Sequence, residues 1–230
     1  VDGKYSVECY LKSLAETYRR HRRNGGESYM NLAYLLFHLP FPKMSWKALN
    51  VIADEEARIS GRVVAGEELA GIYDEKVLPG TIGAKEIGNI YCGSLYLSLA
   101  SLLEIKGDCA AGERIGMFSY GSGSCAEFFT GMIGAGSEIW EGKVGLLSGI
   151  SRRKDIGFAD YLKFRDHTAR LSRNNSYKVE KMPLVDSIPP DTHQLFLGYR
   201  DFRRVYIQGP ATRVAASPRA RSEINSQFKS

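Results

Sequence analysis

Three polar residues stand beside apolar or glycine-rich segments in a way that is typical of ligand sites. His38 follows an apolar run, Asn89 follows a glycine, and Ser122 stands between Gly121 and Gly123. In α/β sheets, ligands bind beyond the carboxyl ends of the strands, so we expect the three side chains to converge. An imidazole, a carboxamide and a hydroxyl can all donate hydrogen bonds to carbonyl oxygens. The set therefore predicts a site that polarises a thioester or a ketone and holds an oxyanion.

Each of these residues also has a plain structural interpretation. A single histidine after a strand is more often a satisfied structural residue than a catalytic one, and a Gly-Asn pair before a helix is usually a capped turn. A Gly-Ser-Gly segment serves any tight strand-to-helix connection. It also lacks the Gly-x-Ser-x-Gly pattern of a hydrolase nucleophile, because Tyr120 occupies the first glycine position. Spacing alone therefore supports an acyl or carbonyl site only as a hypothesis.

The four cysteines show no C-x-x-C spacing. This argues against a disulfide framework or a zinc site and favours the reducing cytoplasm. We expect Cys9 inside a helix, Cys92 in a packed segment and Cys109 in a loop. Cys125 comes closest to a reactive setting, because it follows a glycine turn where we expect a helix to begin.

Apolar spacing predicts helices that alternate with strands, which is typical of a layered α/β fold with helices packed on a sheet. Residues 61–87 are polar and acidic, and we expect an irregular path there. We predict that Ser45 is the N-cap of the second helix. The predicted helices lie around residues 7–23, from Ser45 onward, at residues 91–103 and after residue 123, and the predicted strands at residues 34–37, 114–120, 194–199 and 203–208.

The domain organisation and the charge limit the classes of partner. We predict one domain over residues 1–209 and a basic, frayed tail over residues 210–230, where Ala, Ser, Arg and Pro dominate. The net charge is +5, and residues 151–230 hold 16 Lys and Arg against 8 Asp and Glu. A basic balance favours anionic partners, although a solvated surface without a partner is the more common explanation. No zinc-finger or RNP-like motif favours nucleic acid, and no apolar run approaches the roughly 20 residues of a membrane span.

Four groups of residues occur together in an order that resembles the hydroxymethylglutaryl-CoA synthases of the thiolase superfamily. Any one of these segments is weak evidence, whereas the ordered set is specific. The resemblance extends from residue 2 to about residue 208. The segments are 2–7 with 9–11, 37–44, 88–91 with 93–96, and 114–123.

The resemblance implies a thiolase-like fold, of which this chain is the C-terminal half, and a Claisen-type condensation of acetyl-CoA with acetoacetyl-CoA. His38 matches the catalytic histidine that hydrogen-bonds the carbonyl of the acceptor. Asn89 and Ser122, the latter framed by Gly121 and Gly123, match substrate-binding residues. Lys43 and Lys47 match CoA-binding lysines. The CoA thioesters are substrates, so neither a tightly bound cofactor nor a metal is implied.

The same resemblance implies that essential parts lie elsewhere. In this family the nucleophilic cysteine and the catalytic glutamate lie in the half that precedes residue 1, and none of the four cysteines here matches them. We therefore expect an N-terminal half of the enzyme as a separate chain, with a fragment as the alternative explanation. The family also implies a place in the mevalonate pathway of isoprenoid biosynthesis and a dimer of complete protomers, or a heterotetramer if each protomer is split. The cytoplasmic location is expected from the cysteine usage.

Two other functions compete with this interpretation. Some relatives insert β-branches during polyketide assembly and act on acyl-carrier-protein thioesters, and the basic last third of the chain suits an acidic carrier protein. Around His38, however, the Pro-Lys-Met and Lys-Ala-Leu segments resemble the CoA enzymes more closely. A hypothesis of another class is a non-catalytic binding module that docks an acidic partner through residues 152–154 and the arginine-rich end.

Overall fold

The computed structural model describes residues 3–140, 143–173, 177–178, 194–200 and 203–208. The chain divides into two compact units, Val1–Arg152 and Arg153–Ser230. In the first unit the helices are α1 (Gly3–Arg23), α2 (Met44–Ser60), α3 (Gly66–Ile72), α4 (Ile82–Ile87), α5 (Ser94–Lys106) and α6 (Leu146–Ser151). Its strands are β1 (Tyr34–Phe37), β2 (Arg114–Gly121) and β3 (Cys125–Met132).

Helix α1 forms because apolar residues recur on one face, as the sequence predicts. Tyr10, Leu14 and Tyr18 are spaced four residues apart and are all buried. The last turn is rich in Arg and His, which favours the negative end of the helix dipole. Beyond it, Gly25 takes a positive φ of 82°, a conformation that glycine adopts without steric cost. The helix thus presents a continuous buried edge to the sheet and to α2.

The sheet of the first unit is mixed. Strand β1 pairs in parallel with β2, with Tyr34 opposite Ile115 and Phe37 opposite Phe118. Strand β3 pairs antiparallel with β2, with Gly121 opposite Cys125. The core beneath the sheet combines α1 and α2 residues with Phe118 and Phe128, whereas α5 packs with Leu36, Ile115 and Met117 in a second cluster.

The helix predicted after Gly123 is wrong, because this segment is strand β3. Gly123 and Ser124 both have positive φ values, 73° and 56°, and two such residues turn the chain back on itself as a hairpin. Phe128 is then buried against Tyr18, with ring centroids 5.1 Å apart. Cys125 therefore begins a strand, which removes the helix start that we expected beside its thiol.

The predicted N-cap of α2 is also wrong. Helix α2 begins at Met44, and Lys43 occupies the cap position in a helical conformation without a side-chain cap bond. Ser45 lies inside the first turn, where its hydroxyl donates to the Pro42 carbonyl at 2.7 Å. Helix α2 begins earlier than predicted because the Met44 N–H already donates to the Phe41 carbonyl at 3.0 Å.

Residues 61–87 are more ordered than the composition predicts. They contain α3, a π-helical turn, a 3₁₀ turn and α4. Leu69, Val77 and Ala84 are buried from these segments, so tertiary packing overrides the polar composition. Helix α5 begins at Ser94 instead of residue 91, because the three residues before it form a 3₁₀ turn.

The second unit contains α7 (Phe158–Arg173) and a small antiparallel sheet of β4 (Tyr177–Lys178), β5 (Gln194–Arg200) and β6 (Arg203–Gln208). The predicted pairing of the last two strands is confirmed. Residues 209–230, and with them the predicted domain boundary and tail, lie outside the described residues. Among the described helices, none has both the length and the apolar character that a membrane crossing requires.

Candidate functional site

A cavity of about 400 Å³ lies in the first unit, where the beginning of α1, the end of β1, the turn before α5 and the end of β2 meet. Its walls are largely apolar, with a few polar groups, which is typical of small-molecule sites. Both His38 and Asn89 line it, together with Gly121. The structure thus brings together residues that are more than 30 positions apart in sequence. The other wall residues used below are Tyr10, Phe41, Met44, Tyr91, Cys92 and Tyr120.

The backbone of His38 is held on both sides. Its N–H donates to the Phe118 carbonyl at 2.8 Å, which extends the pairing of β1 and β2 by one residue. Its carbonyl accepts the Tyr10 hydroxyl at 2.8 Å. The rings of Tyr10 and Tyr120 flank the imidazole, with centroids at 6.3 Å and 6.2 Å. The histidine is therefore fixed by its strand and by helix α1 while its side chain projects among aromatic rings.

The imidazole of His38 is nearly buried and yet keeps its hydrogen-bonding capacity. The residue is 8% exposed, and burial lowers the pKa of its side chain from the usual value. A neutral imidazole has one N–H donor and one acceptor nitrogen, and within the described chain neither nitrogen has a hydrogen-bond partner. Among the described side chains, the Tyr29 hydroxyl is the only fully buried nitrogen or oxygen atom without a hydrogen-bond partner. The unpartnered nitrogens of His38 are therefore not fully buried, and His38 lines the cavity. A ligand carbonyl could accept the free N–H.

Asn89 lies at the exposed rim of the same cavity. Its Oδ1 accepts the Tyr91 N–H at 2.8 Å and the Ser94 hydroxyl at 3.3 Å. Tyr91 has a φ of 55°, a left-handed conformation that costs a tyrosine roughly 1 kcal/mol or more. The Asn89 side chain therefore stabilises a strained turn while it faces the cavity.

The residues of the Gly-Ser-Gly segment have different positions relative to the cavity. Gly121 lines the cavity, and a Cβ at that position would lie 3.7 Å from the Sγ of Cys92. Ser122 begins the hairpin turn between β2 and β3, but its side chain lies outside the described residues. Gly123 is exposed in the same turn. The predicted substrate-binding roles of Gly121, Ser122 and Gly123 stay predictions.

Lys43 and Lys47 lie at the beginning of α2 and are both exposed. A spacing of four residues places them on one face of the helix. Met44, which follows the first of them, lines the cavity. The helix terminus and the two cations favour an anion there electrostatically, and the predicted CoA contact stays a prediction.

Sequence reasoning missed three groups of the site. Tyr10 stood out only as part of the apolar face of α1, although its hydroxyl reaches His38. Tyr120 stood out only because it breaks the hydrolase pattern. Cys92, which we expected in a packed segment, is exposed on the cavity wall. Its position three residues after Asn89 was the one sequence feature that could have indicated its place in the site. In the described ranges, no group of three or more His, Cys, Asp or Glu residues could hold a metal ion.

The chain is similar to known proteins of one family. The family described as "Hydroxymethylglutaryl-coenzyme A synthase C terminal" matches residues 63–208. The hydroxymethylglutaryl-CoA synthase of Enterococcus faecalis is 39% identical over 162 residues, which are 70% of this chain and 40% of that protein.

Two solved structures of such synthases are also similar to this chain. MvaS in complex with 3-hydroxy-3-methylglutaryl coenzyme A is 30% identical, with a TM-score of 0.70 over 91% of this chain and 51% of that one. The curacin-pathway HMG synthase in complex with holo donor-ACP is 27% identical, with a TM-score of 0.78 over 90% of this chain and 50% of that one. These likenesses confirm the predicted α/β, thiolase-like fold of helices on a mixed sheet. The chain spans about half the length, or less, of these relatives.

Proposed function

Because the chain belongs to the hydroxymethylglutaryl-CoA synthase C-terminal family, we propose that its first unit forms the acceptor side of an acyl-CoA condensation site. The proposed reaction joins acetyl-CoA to acetoacetyl-CoA and gives 3-hydroxy-3-methylglutaryl-CoA, a step of the mevalonate pathway. The nucleophilic cysteine and the catalytic glutamate would come from the N-terminal half of the family, as a separate chain in the arrangement that we favour.

The observation that carries this proposal is the open hydrogen-bonding capacity of His38. Its ring is nearly buried, has no hydrogen-bond partner among the described residues and shares a cavity with Asn89. Burial lowers the pKa of the imidazole, so the ring is neutral at pH 7. A neutral N–H donor in an apolar wall is suited to polarise a carbonyl group.

In the proposed mechanism, His38 acts on the ketone of acetoacetyl-CoA. The catalytic glutamate of the N-terminal half removes a methyl proton from the enzyme-bound acetyl group, and the resulting carbanion forms a bond to C3 while the ketone π electrons move to its oxygen. The His38 N–H donates a hydrogen bond to that oxygen as negative charge develops, and the proton held by the glutamic acid then converts it to the tertiary alcohol. The Asn89 amide would hold a thioester carbonyl of the same substrate. Water finally hydrolyses the thioester that links the product to the cysteine.

The lysines at the beginning of α2 support CoA as the acyl carrier. Lys43 and Lys47 are exposed and lie close in sequence to Phe41 and Met44, which line the cavity. A CoA molecule carries phosphates on its adenosine end, and two lysines beside a helix N-terminus offer those phosphates a positive field. Neither lysine needs to leave solvent for this contact.

A carrier-protein substrate is the second candidate. One observation favours it: the fold is more similar to the curacin-pathway synthase in complex with donor-ACP than to MvaS, with TM-scores of 0.78 and 0.70. The identity of 39% to the Enterococcus faecalis enzyme favours CoA. Turnover with acetoacetyl-CoA against acetoacetyl-carrier protein separates the two.

The setting of the reaction is part of the same proposal. None of the four cysteines forms a disulfide in the described part of the chain, which suits a reducing compartment such as the cytoplasm. A dimer of complete protomers is the assembly that we propose, and sedimentation of the chain together with its N-terminal half tests it.

Substitution of His38 tests the function directly. In the protein that also carries the family cysteine and glutamate, His38→Ala should lower the condensation rate by about 10²-fold or more. Acetylation of the cysteine by radiolabelled acetyl-CoA should change little, because His38 acts on the acceptor. Unchanged condensation in the variant would remove His38 from the mechanism.

Thiol labelling tests the location of the substrate without turnover. Cys92 and Cys109 are both exposed, but only the former lines the cavity. Acetoacetyl-CoA should slow alkylation of Cys92 by iodoacetamide, as measured by peptide mass spectrometry, and leave Cys109 unaffected. Equal rates at both cysteines with and without ligand would place the CoA thioester elsewhere.

A further inference from the structure

A buried serine is hydrogen-bonded to the carboxamide at the cavity rim. Ser94, the first residue of α5, is 1% exposed. Its hydroxyl oxygen accepts the Ile90 N–H at 3.2 Å, and its proton goes to the Oδ1 of Asn89 at 3.3 Å. The second bond is at the long end for two oxygens. The serine therefore joins the turn backbone to the Asn89 side chain.

The hydrogen-bond partners fix which end of the carboxamide faces the turn. The Tyr91 N–H lies 2.8 Å from Oδ1, and a backbone N–H can only donate, so the oxygen must point there. With the Ser94 hydroxyl as the second donor, both lone pairs of Oδ1 are used. The two Nδ2 hydrogens have no acceptor among the described residues. They are the part of Asn89 that remains for a ligand.

We propose that Ser94 is a positioning residue that holds the Asn89 amide with its NH₂ group toward the cavity, as a donor to a thioester carbonyl. This rests on the proposed function, since a carbonyl ligand gives the exposed donor its purpose. Without the hydroxyl, the amide keeps one anchor, the Tyr91 N–H, and rotates more freely about χ2. An amide that samples several orientations presents its donor to the substrate for a smaller fraction of the time.

The first measurement needs no ligand. In the ¹⁵N-labelled full chain, the Asn89 NH₂ signals are assigned by their loss in Asn89→Ala. Ser94→Ala should lower the order parameter of Nδ2 into the flexible range, below about 0.6. Ser94→Cys, which keeps the size of the side chain but is a weak donor, should act in the same direction. An unchanged order parameter in either folded variant would overturn the proposal.

Ser101 provides a matched control on the same helix. It is also buried, donates to the Leu97 carbonyl at 2.8 Å and accepts the Gly83 N–H at 3.0 Å. Ser101→Ala thus removes one donated and one accepted bond, as Ser94→Ala does, but far from the rim. It should leave the Asn89 NH₂ signals unaffected. An equal loss of order in this control would mean that Ser94 acts only through general stability.

The second measurement separates this inference from the proposed function. The affinity ratio of acetoacetyl-CoA to CoA reports the acyl carbonyls. Ser94→Ala should lower this ratio by about fivefold, the effect of one hydrogen bond, and should have no further effect in Asn89→Ala. If Asn89→Ala lowers the ratio and Ser94→Ala does not, the positioning role fails alone. If the wild-type chain binds neither ligand, the proposed function of the cavity fails, and the order parameter still decides the role of Ser94.

Discussion

The two ends of helix α1 treat buried polar groups in opposite ways. Near its beginning, the Tyr10 hydroxyl bonds only a backbone carbonyl, and the neighbouring His38 ring has no hydrogen-bond partner in the described part of the chain. Two helical turns later, the Tyr18 hydroxyl donates to the Glu56 carboxylate at 2.6 Å. Arg22 forms a salt bridge with the same carboxylate at 3.0 Å. We refer to these regions as the cavity end and the ion-pair end.

The contrast supports the proposal that the cavity end keeps hydrogen-bonding capacity for a ligand. At the ion-pair end, Glu55 and Glu56 are almost fully buried, and arginines pair with both. A buried charge without a partner is costly, so these groups serve the packing of α1 against α2. The Tyr29 hydroxyl is the exception there. At the cavity end, neutral donors stay open, which costs less and leaves them available.

The largest expected effect comes from breaking the buried ion pair. Glu56→Ala removes the carboxylate that accepts from Arg22 and from the Tyr18 hydroxyl, and it leaves Arg22 with only the Gly26 carbonyl as an acceptor. It should lower the free energy of unfolding by about 3 kcal/mol, measured in urea. The Arg22 side chain is 22% exposed, so we expect a loss of free energy at the lower end of the range for breaking buried ion pairs. Ligand affinity at the cavity end should stay unchanged in the folded variant.

A surface pair provides the control for this variant. Glu68 forms a salt bridge with Arg62 at 2.7 Å, and both side chains are at least half exposed. Glu68→Ala should cost less than about 1 kcal/mol. A comparable loss in both variants would contradict the view that burial makes the ion-pair end structural.

Removal of one hydroxyl at each end gives a smaller effect. Tyr18→Phe deprives Glu56 of a donor and the Tyr29 N–H of its acceptor, so we expect a loss of about 2 kcal/mol in the free energy of unfolding. Tyr10→Phe deprives only the His38 carbonyl of a donor, and the expected loss is about 1 kcal/mol. Chemical denaturation of both variants measures the difference. If the order is reversed, the comparison of the two ends fails.

The smallest effect is a dependence of stability on pH. Burial lowers the pKa of His38 in the folded protein, so below the unfolded value of about 6.5 the unfolded chain takes up a proton first. Stability should therefore fall as the pH drops from about 6.5 toward the folded pKa. His38→Gln should reduce this slope in urea denaturation between pH 7 and 5. Burial also lowers the pKa of His21 at the ion-pair end, so His21→Gln should remove a further part of the pH dependence of stability.

Local patterns predicted much of the fold. The four-residue spacing of Tyr10, Leu14 and Tyr18 identified α1, and four consecutive apolar residues identified β1, because burial imposes these periods directly. Strand β3 was missed because its preceding glycines also suit a turn into a helix. The two positive φ values that make the turn a hairpin are not visible in the letters Gly-Ser-Gly-Ser.

The candidate site was predictable only in part. His38 and Asn89 each follow a recognisable segment end, and the resemblance to a family placed both in one site. The partners that orient them were not predictable, because the Tyr10 bond spans 28 residues and exists only after folding. The bond from Ser94 to Asn89 is local, but its direction depends on the left-handed turn at Tyr91.

The side-chain-free wall at Gly121 has a practical consequence for chemical biology. Cys92 is exposed and lines the cavity, and a Cβ at Gly121 would already be in van der Waals contact with its sulfur. Small electrophilic fragments could be anchored there covalently and then extended toward the imidazole. The thiol thus provides a starting point for irreversible ligands at a residue outside the proposed catalytic machinery.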